Sequence, residues 1–384
     1  MPNPNAIVST TIRLEPLLDR AATEILRAEG GLSVELEGGR RVRLDAADGR
    51  SAGFAQILDG LSKQRLPVYL ELDPATDAIT RLLVPHVARV IGVSPADEGR
   101  LDVVLDASHG RHVLRLADAD APDLQRQLRE ALDSGRPIIL TEDDAHNIID
   151  VRAFTPAPDW PLPPFPPIPL PEPKLPPRYP WPLSWVWWLF HWFWWWINWP
   201  WWWFRCMSMT KAQQVFNAMA ATTCNPLTVP VPCVTFLYPD DGCWARAHEM
   251  CRLMITMGLS PRKIWIDRSV ASILHVNTPN NPQCFVEWYW HVAPTLCVRG
   301  PKWFQAQRMV IDPSLFTSPV AEATWKGVQG DPGATLTPTD ASVFWHGGGT
   351  DPTYSASNAI LAQYRLALQT RSIQVGPPPY AACP

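Results

Sequence analysis

A proline-rich run followed by a tryptophan-rich run divides this chain of 384 residues into two parts. Of its 42 prolines, 15 lie between residues 156 and 200, and 13 of its 20 tryptophans lie between residues 160 and 203. From residue 156 to 180 the closely spaced prolines fix φ and remove amide donors, so neither helix nor sheet is available there. We therefore predict an extended polyproline II spacer over this run, with an SH3-type ligand as the alternative.

The tryptophan-rich run, residues 181–204, carries no formal charge when its one histidine is neutral. It holds 17 residues between two prolines, which is at the short end of the roughly 17–25 residues needed to span a bilayer as a helix. Tryptophan also favours the membrane–water interface. These features predict that residues 181–204 insert into a membrane or lie on it. The alternatives are packing against the protein's own domains and self-association.

Charge and cysteine content also change at this boundary. Residues 1–154 hold 18 basic and 25 acidic side chains, whereas the remainder holds 15 basic and 12 acidic ones, giving a formal charge of −4 overall. This balance argues against a nucleic-acid partner. All eight cysteines follow residue 204, which indicates an oxidising environment for the second part. Because the start lacks the basic and apolar regions of a cleavable signal peptide, we expect membrane association or export by another route, with the C-terminal domain outside the cytoplasm.

The first 154 residues contain an internal repeat. Residues 32–44 and 101–116 alternate apolar and polar side chains around glycine-containing turns, the second at His109-Gly110, which predicts two β-hairpins. Each hairpin is followed by a segment of helical spacing and then by a strand. The two strands, 66–73 and 136–143, align without gaps at an offset of 70 residues.

The predicted N-terminal domain, residues 1–154, is therefore a duplicated ββαβ α/β domain, with a helix over residues 12–29 before the first unit. Its acidic residues are spread along solvated faces, so it shows no catalytic constellation. A binding, targeting or inhibitory role remains open. Residues 155–204 are the connecting segment and residues 205–384 a second domain.

The second domain carries the chemistry. Asp241 and Gly242 are typical of a turn and a helix cap, and residues 245–254 are strong helix formers, so Cys243 is predicted in the first turn of a helix. At that position the helix dipole and free amides favour a thiolate and can hold an oxyanion. His248 lies roughly 140° around the helix from Cys243 at about 100° per residue, so it is a poor partner, and a zinc site with Cys251 fails on the same geometry.

Better partners for Cys243 lie on predicted strands downstream. Residues 285–293 form one predicted strand with His291 towards its end, and a short strand at 309–312 ends at Asp312 before Pro313. A cysteine at a helix N-terminus followed by histidine and aspartate on strands is the order of papain-like and transglutaminase-like hydrolases.

Three blocks of this domain resemble the bacterial protein-glutaminase family. They are D-G-C-W-A-R-A-H-E-M at residues 241–250, Y-W-H-V-A at 289–293 and V-I-D-P-S-L-F at 310–316, followed by Thr324-Trp325. The resemblance covers about residues 205–384 and implies an α+β, papain/transglutaminase-like cysteine hydrolase domain. It also implies that Cys243 is the nucleophile, His291 the general base and Asp312 the residue that orients it.

The implied activity is hydrolysis of the side-chain amide of protein- or peptide-bound glutamine, giving glutamate and ammonia through a cysteine thioester. The partner would be a protein with an accessible glutamine, and no metal or organic cofactor is required. Trp288, Tyr289 and Trp290 would line the substrate groove or pack in the core. The known enzymes carry a pro-region that blocks the site, but the duplicated N-terminal domain and the Pro/Trp band depart from their pattern.

Other functions stay open at this point. One possibility is that the deamidase acts as a membrane-tethered toxin or effector. The same fold also carries transglutaminase-like acyltransferases and cysteine peptidases. The third possibility is a non-enzymatic, membrane-active protein that acts through its tryptophan-rich segment. Among the cysteines, Cys224 and Cys233 are a candidate disulfide pair, and at least one cysteine besides Cys243 should be unpaired if all disulfides are internal.

Overall fold

The computed structural model describes residues 5–15, 31–96, 99–155, 206–227, 233–270, 272–300 and 305–383. The proline-rich spacer and the tryptophan-rich segment lie outside these residues, so their predicted roles remain predictions. Within the described residues, none of the helices is long and apolar enough to cross a lipid bilayer.

The described residues of the first N-terminal unit, 5–15 and 31–83, form strands around one helix. Its elements are β1 Ala6–Ser9, β2 Ile12–Glu15, β3 Gly31–Leu36, β4 Arg41–Asp45, α1 Ser51–Gln64, β5 Val68–Leu72 and β6 Ile79–Leu83. The strands form two antiparallel sheets, in the orders β2-β3-β4 and β1-β5-β6. A 3₁₀ turn at Glu37–Gly39 joins β3 to β4, with Gly38 at a φ of 72° that favours glycine.

The second N-terminal unit, residues 86–153, repeats this arrangement. Its elements are β7 His86–Pro95, β8 Arg100–Leu105, β9 His112–Arg115, α2 Ala121–Ser134, β10 Pro137–Glu142 and β11 Ile148–Ala153. They form one antiparallel sheet in the order β11-β10-β7-β8-β9. The long β7 pairs with β10 through its first half and with β8 through its second, so it takes the place of both β1 and β2. The predicted order of two strands, a helix and a strand is present in both units, and each continues into one further strand.

The helix predicted over residues 12–29 is wrong at its start. Ile12–Glu15 is strand β2, which pairs with β3. Ile12 and Leu14 are buried whereas Arg13 between them is exposed, and this alternation has the period of a strand rather than that of a helix. Residues 16–30 lie outside the described part of the chain.

The C-terminal part, residues 206–383, combines a five-stranded antiparallel sheet with helices. Its elements are α3 Met209–Ala220, α4 Cys243–Thr256, β12 Arg262–Asp267, β13 Leu274–Asn277, β14 Phe285–Trp288, β15 Trp290–Arg299, β16 Ala306–Val310, β17 Val320–Ala321, α5 Glu322–Gly327, β18 Thr335–Asp340, β19 Val343–Trp345, β20 Gly348–Thr350 and α6 Ser355–Gln374. The sheet order is β17-β16-β15-β12-β18, and β13-β14 and β19-β20 are separate hairpins. The described chain is thus a mixed α/β structure.

The single strand predicted over residues 285–293 is wrong, because the chain bends at Tyr289. β14 ends at Trp288 and pairs with β13, whereas β15 begins at Trp290 and pairs with β12 and β16. His291 therefore lies near the start of a strand rather than near the end of one. The predicted helix around residues 245–254 is present as α4, with Cys243 as its first residue.

Packing joins the C-terminal helix to the first N-terminal unit. Leu366 of α6 belongs to the hydrophobic core around α1, and an added Cβ at Gly60 would lie 2.7 Å from the Leu366 side chain. The Gln374 side chain also pairs with the backbone of Leu82 through both its oxygen and its nitrogen. Close helix packing and this amide pairing hold α6 on the N-terminal unit.

Three disulfides bind the C-terminal part to itself. They are Cys206–Cys297, Cys284–Cys383 and the predicted pair Cys224–Cys233. Cys243 and Cys251 are free thiols, and both are buried. The one additional unpaired cysteine expected from the sequence is therefore Cys251.

Candidate active site

Gly242 sets the position of Cys243 at the start of α4. Its φ of 79° is left-handed, and an added Cβ would lie 2.6 Å from the ring of Tyr364. Only glycine meets both conditions without strain. The turn lets the chain enter α4 with Cys243 as the first helical residue, completely buried against the sheet.

Arg246 holds the loop that precedes Cys243. Its buried guanidinium donates to the carbonyl oxygens of Tyr238 at 2.9 Å and of Asp241. The Asp241 carboxylate in turn accepts from the Gly242 amide at 2.8 Å. These bonds satisfy buried carbonyls that would otherwise be unpaired, and they fix the entry into the helix.

His291 and Asp312 meet in the arrangement predicted for a base and its orienting group. His291 Nε2 donates to Asp312 Oδ2 at 2.9 Å, and the same oxygen accepts from Trp325 Nε1 at 3.0 Å. The imidazole is stacked on the indoles of Trp288, at 4.3 Å between ring centroids, and of Trp325, at 5.5 Å. Burial lowers the pKa of His291, and the Asp312 carboxylate opposes this shift only in part.

Cys243 and His291 are neighbours across the helix–sheet interface. One potential ligand atom of each lies within 4.8 Å of the other, and an atom of His109 lies within the same distance of both. Burial raises the pKa of the Cys243 thiol well above its usual range, although the Arg246 charge and a backbone hydrogen bond from Val292 oppose the shift. The thiolate expected from the helix N-terminus is therefore not favoured in this conformation, because desolvation outweighs the Arg246 charge and the Val292 hydrogen bond.

His109 comes from the second N-terminal unit and was not predicted as part of this site. It lies in the connection between β8 and β9, which we call the His109 loop (residues 108–111). Its buried imidazole donates from Nδ1 to Asp241 Oδ1 at 2.6 Å and stacks on Trp288 at 5.5 Å. Burial lowers its pKa to about 4 despite the Asp241 charge. The sequence showed only a histidine at a hairpin turn, which gives no sign of a partner 132 positions away.

The His109 loop adds to the edge of β14. The Tyr289 amide donates to the His109 carbonyl at 2.9 Å, and the Arg111 amide donates to the Glu287 carbonyl at 3.0 Å. The Arg111 guanidinium also forms an ion pair with Glu287 at 2.9 Å. Backbone pairing of this kind is how an extended segment occupies an open sheet edge.

A buried ionic network lies beside the loop. Asp240, which immediately precedes Asp241, accepts from Arg371 of α6 at 2.8 Å and from His146 Nε2 at 3.1 Å. His146 Nδ1 donates to Glu142 at 2.8 Å, and Arg371 also pairs with Asp144 at 2.8 Å. The second N-terminal unit and the C-terminal part thus share charges that neither could bury alone.

The predicted substrate-binding residues surround the site but are covered. Trp288 is fully buried behind His291, and its Nε1 donates to the Asp240 carbonyl at 3.1 Å. Trp290 stacks on His346 at 4.8 Å, and Tyr289 lies next to the His109 loop. Their role in substrate binding stays a prediction.

His248, which the sequence excluded as a partner of Cys243, faces away from it. Its Nδ1 lies 2.9 Å from Lys263 Nζ, and its Nε2 donates to the Asp351 carbonyl at 3.2 Å.

Among the described residues, two sets of side chains could each place three metal-ligand atoms within 4.8 Å of one another. They are His109, Cys243 and His291, and His86, His112 and Glu142.

Comparison with known proteins identifies the family of this site. Residues 212–329 match a family model described as Glutaminase. A crystal structure of pro-protein-glutaminase is 18% identical with a TM-score of 0.47, over 79% of this chain and 99% of that chain. An NMR structure of protein-glutaminase from Chryseobacterium proteolyticum is 25% identical with a TM-score of 0.38, over 47% and 97%. No curated protein sequence matches the chain.

The matched segment contains Cys243, His291 and Asp312. The resemblance drawn from the three sequence blocks is thereby confirmed at the level of the family. The part of this chain that carries the predicted triad, residues 212–329, is similar to the glutaminases that this family model describes.

Proposed function

We propose that the C-terminal part hydrolyses the side-chain amide of protein-bound glutamine, with Cys243 as nucleophile, His291 as general base and acid, and Asp312 as its orienting group. The observation that carries this proposal is the relay from Asp312 through His291 towards Cys243. His291 uses Nε2 for Asp312, at 2.9 Å, so Nδ1 is left for proton exchange with the thiol. The family of residues 212–329 supports glutamine as the substrate.

The chemistry follows from these positions. His291 takes the Cys243 proton, the sulfur attacks the carboxamide carbon, and the free amides at the start of α4 stabilise the oxyanion. The imidazolium then protonates the departing nitrogen, so ammonia leaves and a thioester remains. Neutral His291 next removes a proton from water, which attacks the thioester and restores the thiol beside a glutamate side chain. Asp312 fixes the imidazole tautomer throughout.

We also propose that the conformation described here is latent and that the second N-terminal unit is inhibitory. The His109 loop pairs with β14, and its imidazole lies beside the thiol, in the space that a substrate carboxamide would need. Cys243 has no exposed surface while the loop is docked. This assigns the inhibitory alternative to the duplicated N-terminal domain.

The test separates the two parts after folding. A protease recognition sequence inserted between residues 155 and 206 allows the folded chain to be cut, and size-exclusion chromatography shows whether the fragments separate. The freed C-terminal fragment should release ammonia from a glutamine-containing protein, and the same fragment with Cys243→Ala should not. The uncut chain should be at least about tenfold slower, which corresponds to a docking free energy of only 1.4 kcal/mol.

Each part of the proposal can fail separately in this experiment. A separated wild-type fragment that releases no ammonia would contradict the deamidase, whereas an uncut chain as active as the cut one would contradict inhibition. Mass spectrometry of the substrate distinguishes the reaction types. Glutamine converted to glutamate supports deamidation, an incorporated amine indicates an acyltransferase, and a cleaved chain indicates a peptidase.

A membrane-tethered toxin or effector remains part of the proposal only as a prediction from residues 181–204. Flotation of the intact protein and of a variant lacking these residues with liposomes tests it. Equal recovery of both in the aqueous fraction would remove membrane association from the proposal.

A further inference from the structure

Two imidazoles at the site each have one ring nitrogen without a hydrogen-bond partner among the described residues, and the Cys243 thiol lies beside them. Among the described residues, His109 Nε2 and His291 Nδ1 are buried and have no hydrogen-bond partner. Both belong to side chains that are at most 1% exposed, and Cys243 is fully buried beside them. A buried polar atom without a partner costs about 1–3 kcal/mol, so two at one place call for an explanation.

The opposite nitrogen of each imidazole is bound to a carboxylate. His109 Nδ1 donates to Asp241 at 2.6 Å, and His291 Nε2 donates to Asp312 at 2.9 Å. Each contact makes the partnerless nitrogen an unprotonated acceptor, directed away from the carboxylate. A carboxylate behind a histidine is the arrangement that orients histidine ligands towards zinc and increases their basicity.

We propose that the full chain binds one zinc-class divalent cation through His109 Nε2, Cys243 Sγ and His291 Nδ1, and that this cation holds the His109 loop on the catalytic thiol. Its inhibitory meaning rests on the proposed function, whereas the site itself rests on the geometry of the three ligands. Two histidines and one cysteine are a ligand set that zinc accepts, with a fourth position open to water.

The dimensions fit after a small contraction. One potential ligand atom of each of the three residues lies within 4.8 Å of those of the other two. At bond lengths of about 2.0–2.1 Å to nitrogen and 2.3 Å to sulfur, tetrahedral ligands stand roughly 3.5 Å apart. The ligand atoms therefore need to approach one another by at most about 1.3 Å when the cation binds.

The charges also fit. Binding releases the Cys243 proton, so the cation meets one thiolate and two neutral imidazoles. The carboxylates of Asp241 and Asp312 and the buried guanidinium of Arg246 complete a site with no net charge. The ligands come from both parts of the chain, so the complete site exists only while the His109 loop is docked.

The second histidine cluster lacks these features. His86 Nε2 and His112 Nδ1 both contact the Glu142 carboxylate, at 3.3 and 2.6 Å. His112 Nε2 lies 2.9 Å from Ser108 Oγ. There the carboxylate already occupies the position between the imidazoles, and the contacts form an ion-pair cluster.

The test uses the full-length protein, stripped with a chelator and kept without thiol reductants so that the disulfides stay intact. Titration with Co²⁺ should saturate at one equivalent and produce a sulfur-to-metal charge-transfer band, and Zn²⁺ should displace it. His109→Ala should lower the affinity at least about tenfold, and Cys243→Ser should remove the band. Cys251→Ala, which removes the other buried free thiol, serves as a control that should bind as wild type does.

Three results would overturn the site. They are no stoichiometric binding by the wild type, a band and affinity unchanged by His109→Ala, or loss of the cation in His112→Ala while His109→Ala keeps it. Circular dichroism of each metal-free variant checks folding, and the two ligand variants lie in different parts of the chain. Since the readout is spectroscopic, a chain that binds the cation but never releases ammonia would refute the deamidase without refuting the site.

Discussion

At the scale of single residues, His291 is held in one orientation before any substrate arrives. Trp288 and Trp325 stack on its ring, and Asp312 binds Nε2. In the reaction that we propose, Nδ1 is thereby left for proton transfer, and the imidazole has no rotational freedom to lose in the transition state. Trp325 also donates to Asp312, so it is a positioning residue that acts through the carboxylate.

Trp325→Phe should slow the freed enzyme without unfolding it. Phenylalanine keeps an aromatic ring near His291 but removes the indole N–H that binds Asp312 at 3.0 Å. A hydrogen bond to a charged group contributes about 1.5–3 kcal/mol, so we expect kcat to fall about tenfold or more with little change in KM. The pH–rate profile should move because Asp312 loses a donor that lowers its pKa.

The matched control for this change is Trp265→Phe. Trp265 Nε1 donates to Thr339 Oγ1 at 2.9 Å, in a partly buried contact that involves neither His291 nor Asp312. It should cost similar stability and leave the pH–rate profile in place. Equal profiles for both variants would argue against a positioning role for Trp325.

Gly242→Ala should destabilise the protein more than its left-handed φ alone explains. The φ of 79° costs a non-glycine residue about 1 kcal/mol or more, and the Cβ would meet the Tyr364 ring at 2.6 Å, adding about 1–3 kcal/mol of overpacking. Gly258→Ala is the control, because φ is 76° there and nothing lies within 4 Å of an added Cβ. Unfolding free energies from denaturant titration should differ between the two, and similar values would contradict the close approach of Tyr364.

At the scale of elements, the bend at Tyr289 decides how the site is covered. A straight strand over residues 285–293 would pair along its length within one sheet. The bend instead leaves β14 in a two-stranded hairpin with an edge that the His109 loop occupies, while β15 carries His291 into the main sheet. The aromatic and β-branched run favours strand everywhere, so its local pattern cannot mark the bend.

Arg111→Ala should open the His109 loop. The Arg111 side chain is 13% exposed and pairs with both Asp102 at 2.8 Å and Glu287 at 2.9 Å. Removing it leaves two carboxylates without their cation and weakens docking on β14. In a Cys251→Ala background, alkylation of Cys243 in the full chain should accelerate at least about tenfold, as expected for a raised open population.

Arg115→Ala is the control for this experiment. Arg115 is the last residue of β9, the strand that follows the His109 loop, and it pairs with Asp118 near the surface. It should leave the alkylation rate unchanged. Equal rates for the Arg111 and Arg115 variants would show that the loop does not limit access to Cys243.

At the scale of the whole molecule, the two parts are joined by charges buried at their interface. Burial opposes the charged form of His146, but Glu142 and Asp240 outweigh it and raise its pKa well above 6.5. Arg371 pairs with Asp144 on one side and Asp240 on the other. Truncating one member of such a network is costly because its partner stays buried and unpaired.

This network predicts a stability that depends on pH. Since the folded pKa of His146 is raised, its contribution is complete below the unfolded value of about 6.5 and is lost as pH rises towards the folded value. The difference in Tm between wild type and His146→Gln should therefore shrink from pH 6 to pH 9. His275→Gln, an exposed histidine, serves as control. A constant difference would contradict a charged His146 at the interface.

The sequence by itself determined the features that depend on neighbouring residues, such as helix starts and strand alternation. Helix formers after an Asp-Gly turn placed Cys243 at the start of α4, and alternating side chains around glycine turns produced the repeated strands. The order of Cys243, His291 and Asp312 could be recognised because each lies in a separate sequence block that resembles the protein-glutaminases. Such features depend on neighbours within a few residues, where φ/ψ preference and periodicity act.

Only the tertiary structure determined which residues cover the site and which protonation state of the Cys243 thiol is favoured. His109 binds Asp241, which is 132 positions away in the sequence. The residues of the turn around His109 do not indicate that Asp241 is its partner. Cys243 is fully buried beside this contact, and burial raises its pKa, which is opposite to the expected direction. Desolvation depends on every atom packed around a group, and two halves of a chain bury each other only after both have folded. The resemblance of residues 212–329 to glutaminases was therefore evident from local patterns, whereas the latent state that we propose depends on long-range packing.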